Sequence, residues 1–294
     1  MRAARLHELG EAPVVDEVEA PAGPGVLAMS AAALNPVDVS IATGRFYGGT
    51  PELPYVVGSE AIGTDAAGRR VWVYGRGLIA ELVDPEAHWR FEVPDGVEDS
   101  LALAAGVAGL TGWLAVSWRA PVRPDDTVLV LGASGTVGAV ALQGAKLLGA
   151  RKVIGAARRP ELIPAEADER VGLGGGQELP EATLIVDGLW GEPLERALAA
   201  AAVGVRVVHL GQSAGPAATL LSAWVRGKIA DVLGHTLSRV PPAAAEAGYR
   251  ELCEHLRAGR IRVATERYPL AEIATAWRRQ ASGSPGAKLV VSVA

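Results

Sequence analysis

The sequence predicts an α/β protein in which a doubly wound parallel sheet is joined to a smaller, mostly β domain. Three observations support this fold class. Residues 1–107 are dense in glycine and proline and hold short strand-like runs, which favours a small, partly closed barrel. In residues 108–242 strand-like and helix-like runs alternate, as in a parallel sheet with crossover helices. Residues 243–294 hold two helical patterns and a closing strand.

The strand-like runs of the first segment are short and separated by turn residues. They are "GVLAMSAAAL" (25–34), "GRRVWVYG" (68–75) and "LIAELVD" (78–84). The central segment is expected to contribute six strands to one sheet. These are Thr127–Gly132, Lys152–Ala157, Glu169–Leu173, Thr183–Asp187, Val205–Leu210 and Lys228–Leu233.

Helices are predicted where apolar residues recur at helical spacing. Thr136–Leu148 shows this spacing and is followed by Gly149, a helix stop. The tail holds two more helical patterns, "AAAEAGYRELCEHLRAG" and "LAEIATAWRRQAS", before the closing strand "AKLVVSV". Pro160 and Pro164 leave too little chain for a normal crossover helix, so this part of the sheet is expected to be trimmed.

The composition is that of a globular protein without excess positive charge. The 294 residues are 49% hydrophobic and 21% charged, and the formal net charge is −5. This charge gives no reason to expect nucleic acid or an anionic membrane as a partner. The chain has only four lysines but much alanine, glycine and valine, which is typical of a GC-rich bacterial genome.

Cysteine usage and the N-terminus favour a soluble protein of the cytoplasm. Cys253 is the only cysteine, so no disulfide can form within the chain, which suits a reducing compartment. The N-terminal "MRAARLHELGEAPVV" lacks the apolar segment of a signal peptide. We also expect no window of the sequence to be apolar enough to cross a membrane.

The stretch "VLVLGASGTVG" (128–138) predicts a strand that turns tightly into a helix. Thr127–Leu131 is almost wholly apolar, as expected for a strand buried on both faces. Gly132–Gly135 cannot continue the strand, and helical spacing begins at Thr136. A helix start presents unpaired N–H groups and a positive dipole, which suits the diphosphate of a nucleotide. Taken alone, the same glycines also fit an ordinary turn.

Several stretches carry a resemblance to a known superfamily. They are "NPVDVSIATG" (35–44), "LPYVVGSEAIG" (53–63), "AGLTGWLAV" (108–116), "VLVLGASGTVG" (128–138), "GVRVVHLGQSAG" (204–215) and "YPLAEIATAWRR" (268–279). In this order they resemble the medium-chain dehydrogenase/reductase superfamily, most closely its zinc-free quinone oxidoreductase and enoyl reductase branch. The resemblance implies a GroES-like substrate domain, built from residues 1–107 and 243–294, around a Rossmann domain of residues 108–242. It also implies an active site in the cleft between them.

The resemblance bears on metal binding, because zinc enzymes of this superfamily carry a Cys–His pair near "NPVDV" and "GSE". In this chain Val37 and Ser59 occupy that region, and Cys253 lies far away in the sequence. A catalytic zinc needs three protein ligands on converging elements. The histidines show no such spacing; they are His7, His88, His209, His235 and His255. We therefore expect no metal site, and surface or packing roles for the histidines.

The resemblance assigns the glycine turn to the phosphates of a nicotinamide cofactor. The expected contacts are Gly132, Ala133, Ser134, Gly135, Thr136, Val137 and Gly138. Roughly 20 residues farther on, an NAD site carries an acid that binds the ribose hydroxyls. This chain has Arg158 and Arg159 there instead, and guanidinium groups suit the 2′-phosphate of NADPH. The alternative for this arginine pair is a solvated surface.

Further cofactor contacts are expected elsewhere in the chain. By resemblance, Thr111 lies beside the nicotinamide ribose, and Asn35 offers its amide to the nicotinamide. Ligands of open α/β sheets bind at the carboxyl edge, where one predicted strand is followed by Gly211, Gln212 and Ser213. Asp187 ends a neighbouring strand at the same edge, and capping of the helix in "GEPLERAL" is an equally good role for it.

Tyr47 is the candidate proton donor. In enoyl-thioester reductases of the superfamily a tyrosine closely follows "NPxDxxxxxG", and Tyr47 stands almost at that place. The loop is one residue longer here, so Phe46 could take the aligned place and Tyr47 could lie at the rim of the cleft. Quinone reductases often have a tyrosine where this chain has Ser40, which weakens a simple quinone assignment. Trp190, after "VDGL", either walls the acceptor pocket or packs a turn.

Together these features predict an NADPH-dependent, zinc-independent oxidoreductase that transfers hydride to a quinone or to a conjugated enone or enoyl double bond. Conjugated acceptors need no Lewis acid, because their negative charge delocalises to a distant oxygen. The alternatives are a zinc-free alcohol dehydrogenase or carbonyl reductase, and a redox-silent NADPH-binding sensor. The expected partners are a small electrophilic substrate and a second copy of the chain. In relatives the edge strand matching "RGKIADVLGHTL" pairs in a homodimer.

Overall fold

The computed structural model describes residues 1–85, 89–174, 176, 178–283 and 285–293, and the chain divides into two compact units. The first, called the β unit, comprises Met1–Ala108, Tyr249–Ala258 and Val263–Ala294. The second, called the parallel-sheet unit, comprises Gly109–Gly248 and Gly259–Arg262. Each unit has its own apolar core.

The first part of the β unit consists of short strands and one short helix. The strands are β1 (Arg2–Leu6), β2 (Val14–Glu17), β3 (Leu27–Ala33), β4 (Tyr55–Val56), β5 (Glu60–Thr64), β6 (Arg70–Tyr74), β7 (Leu82–Val83) and β8 (Trp89–Glu92). Helix α1 (Pro36–Ala42) follows β3. Its start has proline at the first position, and the side chain of Asp38 accepts a hydrogen bond from the Asn35 backbone N–H. Both features are typical helix-start signals.

A helical stretch with a break at Gly106, Asp99–Arg119, follows these strands. It consists of α2 (Asp99–Ala104), the segment Ala105–Gly109, in which Gly106 has a non-helical ψ of −138°, α3 (Leu110–Leu114) and a π-helical turn (Ala115–Arg119). The expectation that no window is apolar enough to cross a membrane was wrong, because this helix of 21 residues passes that test by length and composition. Its most apolar window is 78% buried inside the protein, as the core helix of a globular protein is.

The parallel-sheet unit is built on one sheet of parallel strands. They are β9 (Thr127–Leu131), β10 (Lys152–Ala157), β11 (Glu169–Gly172), β12 (Leu184–Asp187), β13 (Arg206–His209) and β14 (Asp231–Gly234). Their order is β11-β10-β9-β12-β13-β14. All strands are parallel, and the chain builds the sheet outward in opposite directions from β9 and from the neighbouring strand β12. Every residue of β9 is buried, as expected for a central strand covered on both faces. The predicted doubly wound sheet is confirmed.

Helices cover the two faces of this sheet. They are α4 (Thr136–Leu147) on one face, and α5 (Gly191–Ala200) and α6 (Ser222–Gly227) on the other. Helix α7 (Pro242–Arg257) follows β14, and its residues from Tyr249 on belong to the β unit. Only a 3₁₀ turn, Pro160–Leu162, connects β10 to β11, so the predicted trimmed crossover is confirmed. The predicted strand Lys228–Leu233 was wrong at its start. The Lys228 N–H continues the helical turn by bonding to Trp224 O, and Ile229 has φ +51°, so the strand begins at Asp231.

The last part of the chain returns to the β unit with β15 (Thr265–Pro269), α8 (Ile273–Ala281) and β16 (Lys288–Ser292). The larger sheet of this unit has the order β15-β16-β3-β5-β6-β8, with β7 also paired to β3. The smaller sheet has the order β2-β1-β4. Within the described ranges β8 and β15 do not pair with each other, so the larger sheet is not a closed barrel. The mostly β character of this domain is confirmed.

Candidate functional site

The turn after β9 brings the chain from the sheet into α4 through a conformation that glycine favours. Gly132 has φ +84°, and the N–H groups of Gly132 and Ala133 donate to Ala156 O at 2.8 and 3.2 Å. The turn is therefore anchored to the neighbouring strand β10. Ala133 is buried, whereas Ser134–Val137 are half-exposed and line the outer side of the turn.

Gly138 lets α4 pack closely on this turn. A Cβ atom at Gly138 would lie 2.4 Å from Gly132 O and 2.8 Å from Ala133 Cα. Any side chain there would push the helix start away from the turn. A second close approach lies at Gly112 of α3, where a Cβ atom would meet Val137 O at 2.3 Å. Thr111, the preceding residue, is half-buried on the same helix.

The N-terminus of α4 is open to an anion. This helix has 12 residues, and its N-cap, Gly135, contributes no side-chain hydrogen bond. The first N–H groups of a helix have no partner within the helix, so they and the helix dipole attract negative charge. The glycine turn, the close contact at Gly138 and the uncapped helix start together form the kind of cradle that binds a diphosphate.

Arg158 and Arg159 follow β10 directly and are both exposed. The register of β10 on β9 places Ala156 opposite Leu131, so both strands end at the same edge of the sheet. The structure thus brings the arginine pair to the edge that also carries the glycine turn. Whether either arginine binds a ligand stays a prediction.

The carboxyl ends of β12 and β13 form the next part of this edge. A Cβ atom at Gly211 would lie 3.2 Å from Gly188 O, so these two backbones approach closely. Ser213 Oγ donates to Gly188 O at 3.1 Å, and Gln212 and Ser213 are exposed. This edge therefore holds all three predicted residues that follow β13.

Asp187, the last residue of β12, is fully buried and lies within hydrogen-bond distance of three nitrogen atoms. Its Oδ1 accepts from the N–H groups of Leu189 and Trp190, both at 2.9 Å, and its Oδ2 lies 2.9 Å from Nδ1 of His209. Asp187 does not cap α5 itself. It accepts hydrogen bonds from N–H groups in the turn that precedes this helix. Sequence reasoning missed His209, although it ends the strand next to Asp187 in register.

The β unit contains a buried polar cluster around Glu60, the first residue of β5. The Lys288 ammonium donates to Glu60 Oε1 and Asn35 Oδ1, each at 2.5 Å. The other carboxylate oxygen, Glu60 Oε2, accepts from Trp72 Nε1 at 2.9 Å and from the Val107 N–H at 2.8 Å. Lys288 and Glu60 are 2% and 0% exposed, so this is a fully buried ion pair with its hydrogen bonds satisfied.

Asn35 is held rigidly by this cluster. Its Nδ2 donates to Glu60 Oε1 at 2.8 Å and to Ser59 Oγ at 3.2 Å, while its Oδ1 accepts from Lys288. Both N–H groups of the amide are therefore used within the protein. Sequence reasoning singled out Asn35 and Ser59 but missed Glu60 and Lys288. The available signal was a lysine within the apolar closing strand "AKLVVSV".

Asp38 on α1 adds a second buried carboxyl group beside this cluster. Burial raises the pKa of Asp38 to about 7, against the opposing effects of the Asn35 backbone hydrogen bond, of Ser59 and of the Lys288 charge. Its Oδ1 is buried without a hydrogen-bond partner. Asp38 therefore titrates near neutral pH, whereas an ordinary aspartate is ionised there.

Tyr47 lies on the loop after α1, where it is 82% exposed and its ring centroid is 4.6 Å from that of Phe46. Phe46 is half-buried. The structure brings the two candidate residues into contact on one loop. The catalytic role of Tyr47 stays a prediction.

Comparison with known proteins finds a matching family model and several sequence relatives. A family model described as zinc-binding dehydrogenase matches residues 148–291. Quinone oxidoreductase of Homo sapiens is 33% identical over 179 residues, which cover 55% of this chain and 54% of that protein. A phenolphthiocerol/phthiocerol polyketide synthase polypeptide of Mycobacterium tuberculosis is 28% identical over 318 residues, which cover 99% of this chain and 14% of that polypeptide. The match thus spans about half of the first relative and about a seventh of the second.

Zinc, which the description of the family model names, does not fit the described residues around Val37 and Ser59. Ser59 is bonded to Asn35, Val37 has no donor atom, and the adjoining cluster contains the Lys288 ammonium, which repels a cation. Among the residues that the structure describes, no three of His, Cys, Asp and Glu are grouped to hold a metal ion. His88, one of the histidines considered above, lies outside the described residues.

Solved structures agree with the sequence relatives. The quinone oxidoreductase from Thermus thermophilus, which was solved also in its complex with NADPH, matches with a TM-score of 0.84 and 28% identity. The match covers 99% of this chain and 100% of that one. With the doubly wound sheet, the mostly β unit and the glycine turn, these likenesses support the quinone oxidoreductase branch of the medium-chain dehydrogenase/reductase superfamily as the family of this chain.

Proposed function

We propose that the protein is an NADPH-dependent, zinc-independent oxidoreductase that transfers hydride to a quinone or to the conjugated double bond of an enone or enoyl thioester. The observation that carries this proposal is the packing of Gly138 on the turn at Gly132, where a Cβ atom would lie 2.4 Å from the Gly132 carbonyl. This contact brings the uncapped start of α4 to the edge of the sheet, as a dinucleotide diphosphate requires.

The residues after β10 favour NADPH over NADH. Ala156 and Ala157 offer no acceptor to a ribose diol, whereas Arg158 and Arg159 are exposed at the same strand end. A guanidinium binds a phosphate through charge-assisted hydrogen bonds, so the pair would hold the 2′-phosphate. Thr111 and the Gly211–Ser213 segment would hold the nicotinamide half. The Thermus relative, which was solved in its complex with NADPH, supports NADPH as the cofactor.

The residues of this chain would orient the acceptor, exclude water and supply a proton. NADPH, when bound, supplies a hydride from the nicotinamide ring. Conjugated acceptors suit a site without a Lewis acid, because hydrogen-bond donors and one proton suffice for them. We assign the proton to Tyr47, whose side chain is exposed on its loop and accessible to a ligand. Asn35 keeps its place in the proposed site as a residue fixed by Lys288 and Glu60.

The relatives favour these two classes of acceptor. Quinone oxidoreductase of Homo sapiens supports a quinone, and the polyketide synthase of Mycobacterium tuberculosis supports a conjugated carbon–carbon double bond. Reduction of unsaturated thioesters is a reaction class that polyketide assembly uses. Because the match covers a small part of that synthase, the acceptor is proposed here as a class.

Turnover assays separate this proposal from its alternatives. NADPH consumption would be followed with benzoquinones, naphthoquinones, α,β-unsaturated ketones and an enoyl thioester, each before and after dialysis against a chelator. We expect turnover with at least one conjugated acceptor and no change after chelation. Turnover confined to secondary alcohols and simple ketones would support the alcohol dehydrogenase alternative. NADPH binding without turnover on any acceptor would support the redox-silent sensor.

We further propose that the protein works in the cytoplasm as a homodimer paired through β14. This strand lies at the end of the parallel sheet, and three of its four residues are exposed. An uncovered strand edge pairs readily with a second copy. The single cysteine, Cys253, is buried and free, in keeping with a reducing compartment.

A further inference from the structure

His209, at the carboxyl end of β13, has one ring nitrogen fixed by the protein and one left over. Its Nδ1 lies 2.9 Å from Oδ2 of Asp187, which is fully buried and also binds two backbone N–H groups. A carboxylate only accepts hydrogen bonds, so Nδ1 carries the proton. The neutral imidazole then presents Nε2 as an acceptor, in a tautomer that Asp187 sets.

The ring of His209 is also held on one face. The indole of Trp190 lies 4.1 Å away between ring centroids, at an interplanar angle of 44°. Trp190 has φ +59°, a strained value for a bulky residue, and its backbone N–H is one of the donors to Asp187. The turn therefore places both the carboxylate and the indole against one imidazole.

The nitrogen Nε2 is available to a ligand. In the described part of the chain it forms no hydrogen bond, and the His209 side chain is 28% exposed. It lies at the carboxyl ends of β12 and β13, beside the close approach of Gly188 and Gly211. In a doubly wound sheet the strands beyond the point of reversal hold the second mononucleotide of a dinucleotide.

We propose that His209 is a cofactor-binding residue whose Nε2 forms a hydrogen bond with the nicotinamide mononucleotide half of NADPH. This inference rests on the proposed function and deepens it, because it assigns a contact in the half of the site that the glycine turn does not reach. Asp187 is then a positioning residue for His209, and Trp190 keeps the imidazole plane fixed.

Two substitutions separate the two ring nitrogens. In His209→Gln the amide reaches the position of Nε2, whereas in His209→Asn it reaches only that of Nδ1. Two ligands separate the halves of the cofactor: NADPH, and adenosine 2′,5′-bisphosphate, which lacks the nicotinamide and its ribose. Dissociation constants for both ligands would be measured by titration calorimetry, with thermal unfolding as the check that each variant is folded.

We expect His209→Asn to weaken NADPH binding about three- to tenfold, the value of one hydrogen bond, and to leave the binding of adenosine 2′,5′-bisphosphate unchanged. His209→Gln should retain most of the NADPH affinity. Unchanged NADPH binding in His209→Asn would overturn the inference, and so would an equal loss for both ligands. A wild-type protein that binds neither ligand would overturn the proposed function itself, which is a different result.

Discussion

Among single residues, Lys288 and Glu60 form a fully buried ion pair in the β unit. The ammonium bridges Glu60 and Asn35, and the second carboxylate oxygen is satisfied by Trp72 and the Val107 N–H. Such a pair contributes little net free energy while intact. Removal of one partner leaves an uncompensated charge in the core, so the pair is best tested by breaking it.

Lys288→Met should lower the free energy of unfolding by about 3–5 kcal/mol, because it strands the Glu60 carboxylate in a site that is 0% exposed. Urea denaturation at neutral pH measures this loss. Lys152→Met is the matched control, since Lys152 pairs with Glu169 on the surface, and it should change stability by no more than about 1 kcal/mol. Equal losses in the two variants would show that Glu60 is not held by Lys288 as described.

The burial of His235 predicts how the stability of the folded protein depends on pH. It is buried, its Nε2 has no hydrogen-bond partner, and burial lowers its pKa to about 4, with a smaller contribution from the Arg119 charge. The folded state therefore binds this proton less well than the unfolded chain, whose histidine has a pKa near 6.5. The stabilising contribution is full above that pH and is lost as pH falls from about 6.5 towards 4.

His235→Phe should remove this loss. Between pH 7 and pH 4.5 the wild type should lose about 2 kcal/mol more stability than the variant, by linkage from the two pKa values. Asp38, whose raised pKa acts in the opposite direction over the same range, is present in both proteins and cancels in the difference. Parallel stability profiles for the two proteins would mean that His235 is protonated normally in the folded state.

At the scale of elements, the periodicity of the sequence predicted strands and helices well where burial determines them. The strands β9 and β10 lie within one residue of their predicted ends, because both are apolar on both faces. The hydrophobic pattern did not predict the backbone turns between these elements. The start of β14 was misplaced because the chain turns at Ile229 with φ +51°, which no hydrophobic pattern signals.

In the candidate site, too, some features could be predicted from the sequence and others could not. Glycine spacing predicted the phosphate turn, since a close approach needs glycine and leaves a trace in the sequence. The contacts Glu60–Lys288 and Asp187–His209 join residues 228 and 22 positions apart, and each residue alone carries no distinctive signal. Such pairs depend on strand order and register, which the sequence of one chain does not encode locally.

Gly138→Ala tests the element-scale role of the glycine turn. The added Cβ would meet Gly132 O at 2.4 Å, so α4 must shift, which should cost about 1–3 kcal/mol of stability and at least tenfold in NADPH affinity. Gly227→Ala, at the end of α6, is the control because no atom lies within 4 Å of its added Cβ. Denaturation and cofactor titration measure both effects. If Gly138→Ala bound NADPH as tightly as the wild type, the glycine turn would not be the phosphate-binding site.

At the scale of the whole molecule, the outer edge of β14 is the feature with the clearest consequence. Asp231 and His235 donate their N–H groups to the β13 side, so the N–H groups of Val232 and Gly234 point to the other side. Val232 is 39% exposed and Ile229 is 71% exposed. A second copy of the chain could extend the sheet along this edge.

Light scattering should therefore give twice the chain mass at micromolar concentration. Val232→Pro removes an outward N–H group without disturbing the bonds to β13, and should yield a folded monomer. Val203→Ser is the control, because it alters an exposed apolar residue (69%) outside the strand, and it should stay dimeric. A wild-type monomer would contradict the proposed pairing.

The glycine turn and the two exposed arginines after β10 fit NADPH, which carries a diphosphate and a 2′-phosphate. The most direct test of this fit is to measure the dissociation constants of NADPH and NADH in the wild type, in Arg158→Ala and in Arg159→Ala. We expect the wild type to prefer NADPH at least tenfold, since a charge-assisted hydrogen bond contributes about 1.5–3 kcal/mol. At least one substitution should weaken NADPH while sparing NADH, and the preference should shrink as salt rises. A wild type that prefers NADH, or arginine variants that bind NADPH as tightly as the wild type, would contradict it.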